Sequence, residues 1–114
     1  MEKQQELLEQ AINAFQKTTG LVVLAHSQSA LIIAHNQRKY NFIAKIKLNL
    51  TKAELAFLAL DAKKILVTHY VTPQMSEQMK ALGMAFIDTA GNAYLNQEHL
   101  FIYVKGIYFM ATKL

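Results

Sequence analysis

One stretch restricts the topology more than any other. Ile65-Leu66-Val67-Thr68 is a short, branched, apolar run, and Met84 to Asp88 is another. Between them Thr72-Pro73 marks a helix start and Gly83 a helix stop. Thr supplies a cap oxygen, Pro is pre-set for the first helical position, and Gly accepts the left-handed backbone that ends a helix. Two strands joined by a helix lie parallel in one sheet. The chain therefore needs a sheet with helices on its faces.

The flanks extend that sheet. Leu8, Ile12 and Phe15, with Leu7 and Ala11 beside them, fall at helical spacing within residues 2–18, and Gly20 follows. Leu21 to His26 and Ala30 to Ala34 read as buried strands. Asn36-Gln37-Arg38-Lys39 reads as a polar turn. Tyr40 to Leu48 then alternates, with Phe42, Ala44, Ile46 and Leu48 on one face and Ile43, Lys45 and Lys47 on the other. Thr51-Lys52-Ala53-Glu54 is a capping box, with Leu50 and Leu55 at the staple positions, and predicts a helix over about residues 52–62. Gly91-Asn92 signals a hairpin, after which Ala93 to Leu95 and Leu100 to Val104 complete the sheet. The expected fold class is α/β: a mixed β-sheet flanked by helices, in the order α-β-β-β-α-β-α-β-β-β. Residues 1–106 form the expected single domain, and residues 107–114 a C-terminal tail or interface segment.

Charge is uneven. The formal net charge is +4, yet residues 38–64 alone contribute +5, through Arg38, Lys39, Lys45, Lys47, Lys52, Lys63 and Lys64 against Glu54 and Asp61. Such a patch either holds phosphates or is a solvated lysine surface. Only one of its basic residues is Arg, which argues against base-specific readout. The chain has no Cys, so disulfides, thiolate zinc sites and thiol nucleophiles are excluded. No apolar run approaches the roughly 20 residues that span a bilayer, and the N-terminus lacks the apolar stretch of a secretory signal. The expectation is a cytoplasmic protein without a membrane partner.

Candidate site residues are few. Lys45 and Lys47 point to one side of their strand. Two ammonium groups some 6–7 Å apart repel by roughly 0.6 kcal/mol in water, so the pair disfavours a divalent metal and attracts an anion. If the 36–39 turn closes on two residues, Lys45 lies opposite Ala30 and Lys47 opposite Gln28. The four His (26, 35, 69 and 99) show no ligand spacing, and Ser27 and Ser29 lack an orienting carboxylate. Asp88 ends a strand beside a tight turn, where its carboxylate caps the amides of Ala90 or Gly91. The aromatic residues are expected mostly in the core, with Tyr40 and Tyr70 the candidates for stacking on bases. Ile107-Tyr108-Phe109-Met110, after the Gly106 break, is an apolar segment suited to self-association or docking.

Phe86-Ile87-Asp88-Thr89-Ala90-Gly91-Asn92-Ala93-Tyr94-Leu95 and Leu100-Phe101-Ile102-Tyr103-Val104-Lys105-Gly106 carry a resemblance. Residues 64–106 are similar to a family of bacterial transcriptional regulators related to the antitoxins of abortive-infection, type IV toxin–antitoxin systems. The resemblance implies a restriction-endonuclease-like fold and marks Asp88, Gly91, Asn92 and Tyr94 as family-motif positions. Many members carry Glu-x-Lys on the strand before the second helix; by position that pattern falls on Lys45-Ile46-Lys47, where the acid is replaced by Lys45. The preceding strand has Gln28-Ser29-Ala30 where an Asp is expected. No helix-turn-helix pattern follows residue 106, so the expectation is a stand-alone version or one domain of a longer protein.

These readings converge on a catalytically inactive nuclease-like module with no catalytic residue, metal or cofactor. It would contact nucleic acid through Arg38, Lys39, Lys45 and Lys47, self-associate, and serve a toxin partner or a second DNA-binding domain. Two alternatives stand beside it: an active metal-dependent nuclease using Glu6 or Glu9 with Asp88, and a structural homo-oligomerisation domain.

Overall fold

The computed structural model describes residues 2–49 and 63–107. Helix α1 (Glu2–Thr19) leads into strands β1 (Val22–His26), β2 (Ala30–His35) and β3 (Arg38–Lys47). Strand β4 (Lys64–Thr68), helix α2 (Pro73–Ala81) and strand β5 (Ala85–Asp88) follow, then β6 (Ala93–Gln97) and β7 (Leu100–Val104). The seven strands form one sheet in chain order. The β3–β4 and β4–β5 pairs are parallel, and every other pair is antiparallel. The α/β class and mixed sheet are as the sequence implies. The capping box at Thr51, the staple and the helix expected over residues 52–62 lie outside the described residues, as does the tail beyond Ile107.

The sheet curls around α1. Leu8, Ala11, Ile12 and Phe15, the stripe on one side of α1, pack with Leu31, Ile33, Phe42, Ala44, Ile65, Val67, Ile87 and Leu95 in the main core. Alternation along each strand sends every second side chain to this concave face. The curl brings Tyr40, on β3, to the β6–β7 turn, where its hydroxyl donates to the Glu98 carbonyl at 2.9 Å. Gly20 ends α1 at φ +77°, and its amide donates to the Gln16 carbonyl. On the opposite face α2 lays Met79 against Leu66, Phe86 and Tyr94. Thr72 caps α2 by accepting the Met75 amide at 3.1 Å, with Pro73 next to it.

Two expectations are corrected. The β2–β3 connection is the two-residue turn Asn36-Gln37, with φ +50° and +66°. Positive φ at both central residues matches the twist of the hairpin. Arg38 and Lys39 therefore belong to the strand, and Ala30 lies opposite Ile43 rather than Lys45. The shift is two residues, so the facing of Lys45 and Lys47 is unchanged. Strand β1, expected to be buried, is an edge strand with Val22 53% and Leu24 50% exposed. A bulge between Val23 and Ala25 breaks its pairing, and Gln16 Oε1 accepts the Val23 amide at 2.8 Å. Both features blunt an edge against pairing with other chains.

Gln37 holds a left-handed backbone that a Cβ disfavours. Gln37→Gly is expected to raise stability by about 0.5–1 kcal/mol, the left-handed strain relieved less the backbone entropy that Gly adds to the unfolded chain, read from urea melts of both proteins.

Candidate functional site

The carboxyl ends of the three parallel strands align in one row. Lys47 on β3 stands beside Thr68 on β4, which stands beside Asp88 on β5. All three belong to the α2 face of the sheet, because Ala44, Ile65 and Ile87, at odd offsets from them, face α1. Ligands in open α/β sheets gather at such strand ends. The row is therefore the first place to look for chemistry.

Asp88 is fully buried and saturated. Its Oδ1 accepts the amides of Ala90 (3.0 Å), Gly91 (3.0 Å) and Asn92 (2.9 Å). Its Oδ2 accepts the Val71 amide at 2.8 Å and Asn92 Nδ2 at 3.0 Å. A carboxylate offers about four lone-pair sites, so none remains for a metal ion or an attacking water. Burial pushes the Asp88 carboxyl above its ordinary value, and the bonds from Asn92, Val71 and Ala90 pull the other way. The expected cap on Ala90 and Gly91 is present, and the carboxylate also binds the loop before α2.

Gly91 and Asn92 extend this knot. Thr18 on α1 donates its hydroxyl to the Gly91 carbonyl at 2.9 Å. The Asn92 carboxamide bonds Ile107 twice, donating to its carbonyl and accepting its amide, both at 2.9 Å. Thr89 ties the turn to the His69 carbonyl through its amide (3.1 Å) and its hydroxyl (2.7 Å). Tyr94 is buried beneath α2. Of the four positions singled out by the resemblance, Asp88, Gly91 and Asn92 share one hydrogen-bond network, and Tyr94 belongs to the α2 core instead.

The lysines are arranged differently. Lys39, Lys45 and Lys47 share the α2 face of β3, and Lys64 joins them from β4, directly opposite Ile43. Lys45 and Lys47 are neighbours, while Lys39 lies about 20 Å along the strand from Lys45. Arg38 occupies the other face, so the four basic residues expected to act together are divided. No acid stands on β1, β2, β3 or β4. Ser29, in the segment expected to hold an acid, meets β3 by accepting the Ala44 amide at 3.1 Å. Glu6 and Glu9 are exposed on α1, across the sheet from Asp88, so those three acids do not form a site. Among the described residues no three His, Asp or Glu side chains come together.

An open groove of about 520 Å³ runs between α1 and the turn, lined by Gln10, Asn13, Ala14, Lys17, Thr89 and Ala90. Tyr40 is tied to Glu98 rather than displayed for stacking. Among the described residues the exposed aromatic is Phe101, 58% exposed on β7. The alternation of Leu100 to Val104 contains that information, since Leu100 and Ile102 take the core face and leave Phe101 and Tyr103 to the other.

No family model, curated protein or solved structure matches this chain.

A Cβ built on Gly91 would meet Thr18 Cγ2 at 2.5 Å, and the backbone there has φ +104°. Gly91→Val is expected to lower stability by about 1–3 kcal/mol. Thermal melts that overlay wild type would remove the structural role.

Proposed function

We propose that this domain is a nucleic-acid-binding module of restriction-endonuclease-like architecture that does not cleave. It acts as the binding or assembly part of a bacterial transcriptional regulator or antitoxin-like protein. The observation that carries the reading is the lysine face, with Lys39, Lys45, Lys47 and Lys64 on one side of two adjacent strands and no acid on either. Such a face attracts phosphates irrespective of sequence. The helix-first order, the antiparallel meander and the parallel crossovers agree with the proposed architecture.

The absence of cleavage follows from where the acids are. A metal-dependent nuclease needs carboxylate oxygens that are open to a cation. Position 45 carries an ammonium group, and both oxygens of Asp88 are occupied by N–H donors. A toxin protein or a second DNA-binding domain remains the proposed partner in the cell.

Fluorescence anisotropy on a labelled duplex across a salt series tests this. The double variant K45E/K47E is expected to weaken binding and to flatten the slope of log affinity against log salt by about 1.8 units, two phosphate contacts. Arg38→Glu, on the other face, is expected to leave that slope unchanged. Wild-type affinity in K45E/K47E would reduce the lysine face to a solvated surface.

A further inference from the structure

The α2 face does not end at the lysines. At β6 and β7 it becomes aromatic. Phe101 is more exposed than any other large apolar side chain among the described residues, at 58%. Its ring is nevertheless braced. Its centroid lies 6.1 Å from that of the buried Tyr94 at 84°, and Tyr94 lies 5.7 Å from Tyr103 at 85°. Tyr103 is fixed to α2 through Ser76, hydroxyl to hydroxyl at 3.3 Å. A ring in edge contact with a buried neighbour has less conformational freedom to lose when a base stacks on its open face, which lowers the entropic cost of stacking.

The surroundings are polar and cationic. Asn96 lies directly across from Phe101 on β6, is exposed, and donates from Nδ2 to the Tyr94 hydroxyl at 3.3 Å. Lys80 Nζ is 4.8 Å and Lys105 Nζ 5.8 Å from the centre of the Tyr103 ring. Glu77 pairs with Lys105, and Glu98 stands in the same hairpin 3.5 Å from His99, so the positive charge beside the platform comes from Lys80. An apolar ring, an amide able to read a base edge, and an ammonium group beside them match an unpaired nucleotide in each of its parts.

We infer that the β6–β7 face is a stacking platform for single-stranded nucleic acid. An unpaired base lies on Phe101, its edge meets Asn96, and an adjoining phosphate faces Lys80. A duplex keeps its bases inside the stack and does not offer them to Phe101. Along the sheet the platform is separated from Lys45 and Lys47 by β4 and β5. The inference rests on the nucleic-acid reading above for the class of ligand, and adds which form is bound and where.

The chain contains no Trp, so Phe101→Trp installs a single indole reporter at the platform. A labelled oligo-dT and a labelled duplex are each titrated into wild type, Phe101→Ala, Phe101→Trp and K45E/K47E, with thermal melts confirming that every variant folds. Phe101→Ala is expected to weaken oligo-dT binding about 5- to 150-fold, the loss of one stacked base, and to leave duplex binding unchanged. Phe101→Trp is expected to retain oligo-dT binding, with its fluorescence quenched on titration. Equal oligo-dT affinity in Phe101→Ala and wild type overturns the platform, as does an unquenched indole at saturation. Loss of self-association in Phe101→Ala with oligo-dT affinity unchanged also overturns it, in favour of a protein contact. If K45E/K47E loses duplex binding while Phe101→Ala has no effect, the platform fails and the lysine face stands. If wild type binds neither form, both fail.

Discussion

The fold depends on one buried carboxylate. Asp88 sits where β5 ends, and its two oxygens gather donors from the β5–β6 turn and from Val71 ahead of α2. Five N–H groups donate to this single side chain. A buried donor left without any partner costs about 1–3 kcal/mol. Asn92 extends the same network to Ile107, beyond the last strand, and Gly91 lets Thr18 of α1 close against the turn. The first helix, the loop before the second and the chain after β7 therefore converge on Asp88-Thr89-Ala90-Gly91-Asn92.

That arrangement limits what the row at the strand ends can offer. A carboxylate given wholly to backbone donors is held in place, and it cannot also serve a cation whose ligands must be open oxygens. Thr68, next in the row, has a buried hydroxyl without a hydrogen-bond partner, and Lys47 completes the row with a positive charge. The surface chemistry of this face is consequently cationic along β3 and β4 and aromatic along β6 and β7. Phosphate attraction and base stacking are the two interactions such a face offers to nucleic acid.

Much of this was legible in the residues, and the parts that were not share a cause. Thr72-Pro73 and Gly83 bracket α2, and the stripe of Leu8, Ile12 and Phe15 marks α1, because caps and periodicity are local signals. The Asp88 cap on Ala90 and Gly91 is local as well. Its bond to the Val71 amide and the grip of Asn92 on Ile107 join residues 15 or more positions apart, and nothing nearby announces them. The hairpin register slipped by two residues because Asn36-Gln37 adopts positive φ without a glycine to signal it. Strand β1 read as buried because an apolar edge strand and an apolar central strand have the same composition; only its place in the sheet separates them. The division of Arg38 from Lys39 follows from that same turn, and the role of Phe101 from the alternation along β7.

The central claim is that this face binds nucleic acid and leaves its backbone intact. Incubation of the protein with supercoiled plasmid in Mg²⁺ or Mn²⁺, followed by deproteinised electrophoresis alongside a mobility-shift lane, measures both parts at once. The account predicts a shifted plasmid at low salt that runs as intact supercoiled DNA once the protein is removed. Metal-dependent nicking that tracks with the protein through purification, or a plasmid that does not shift at low salt, would contradict it.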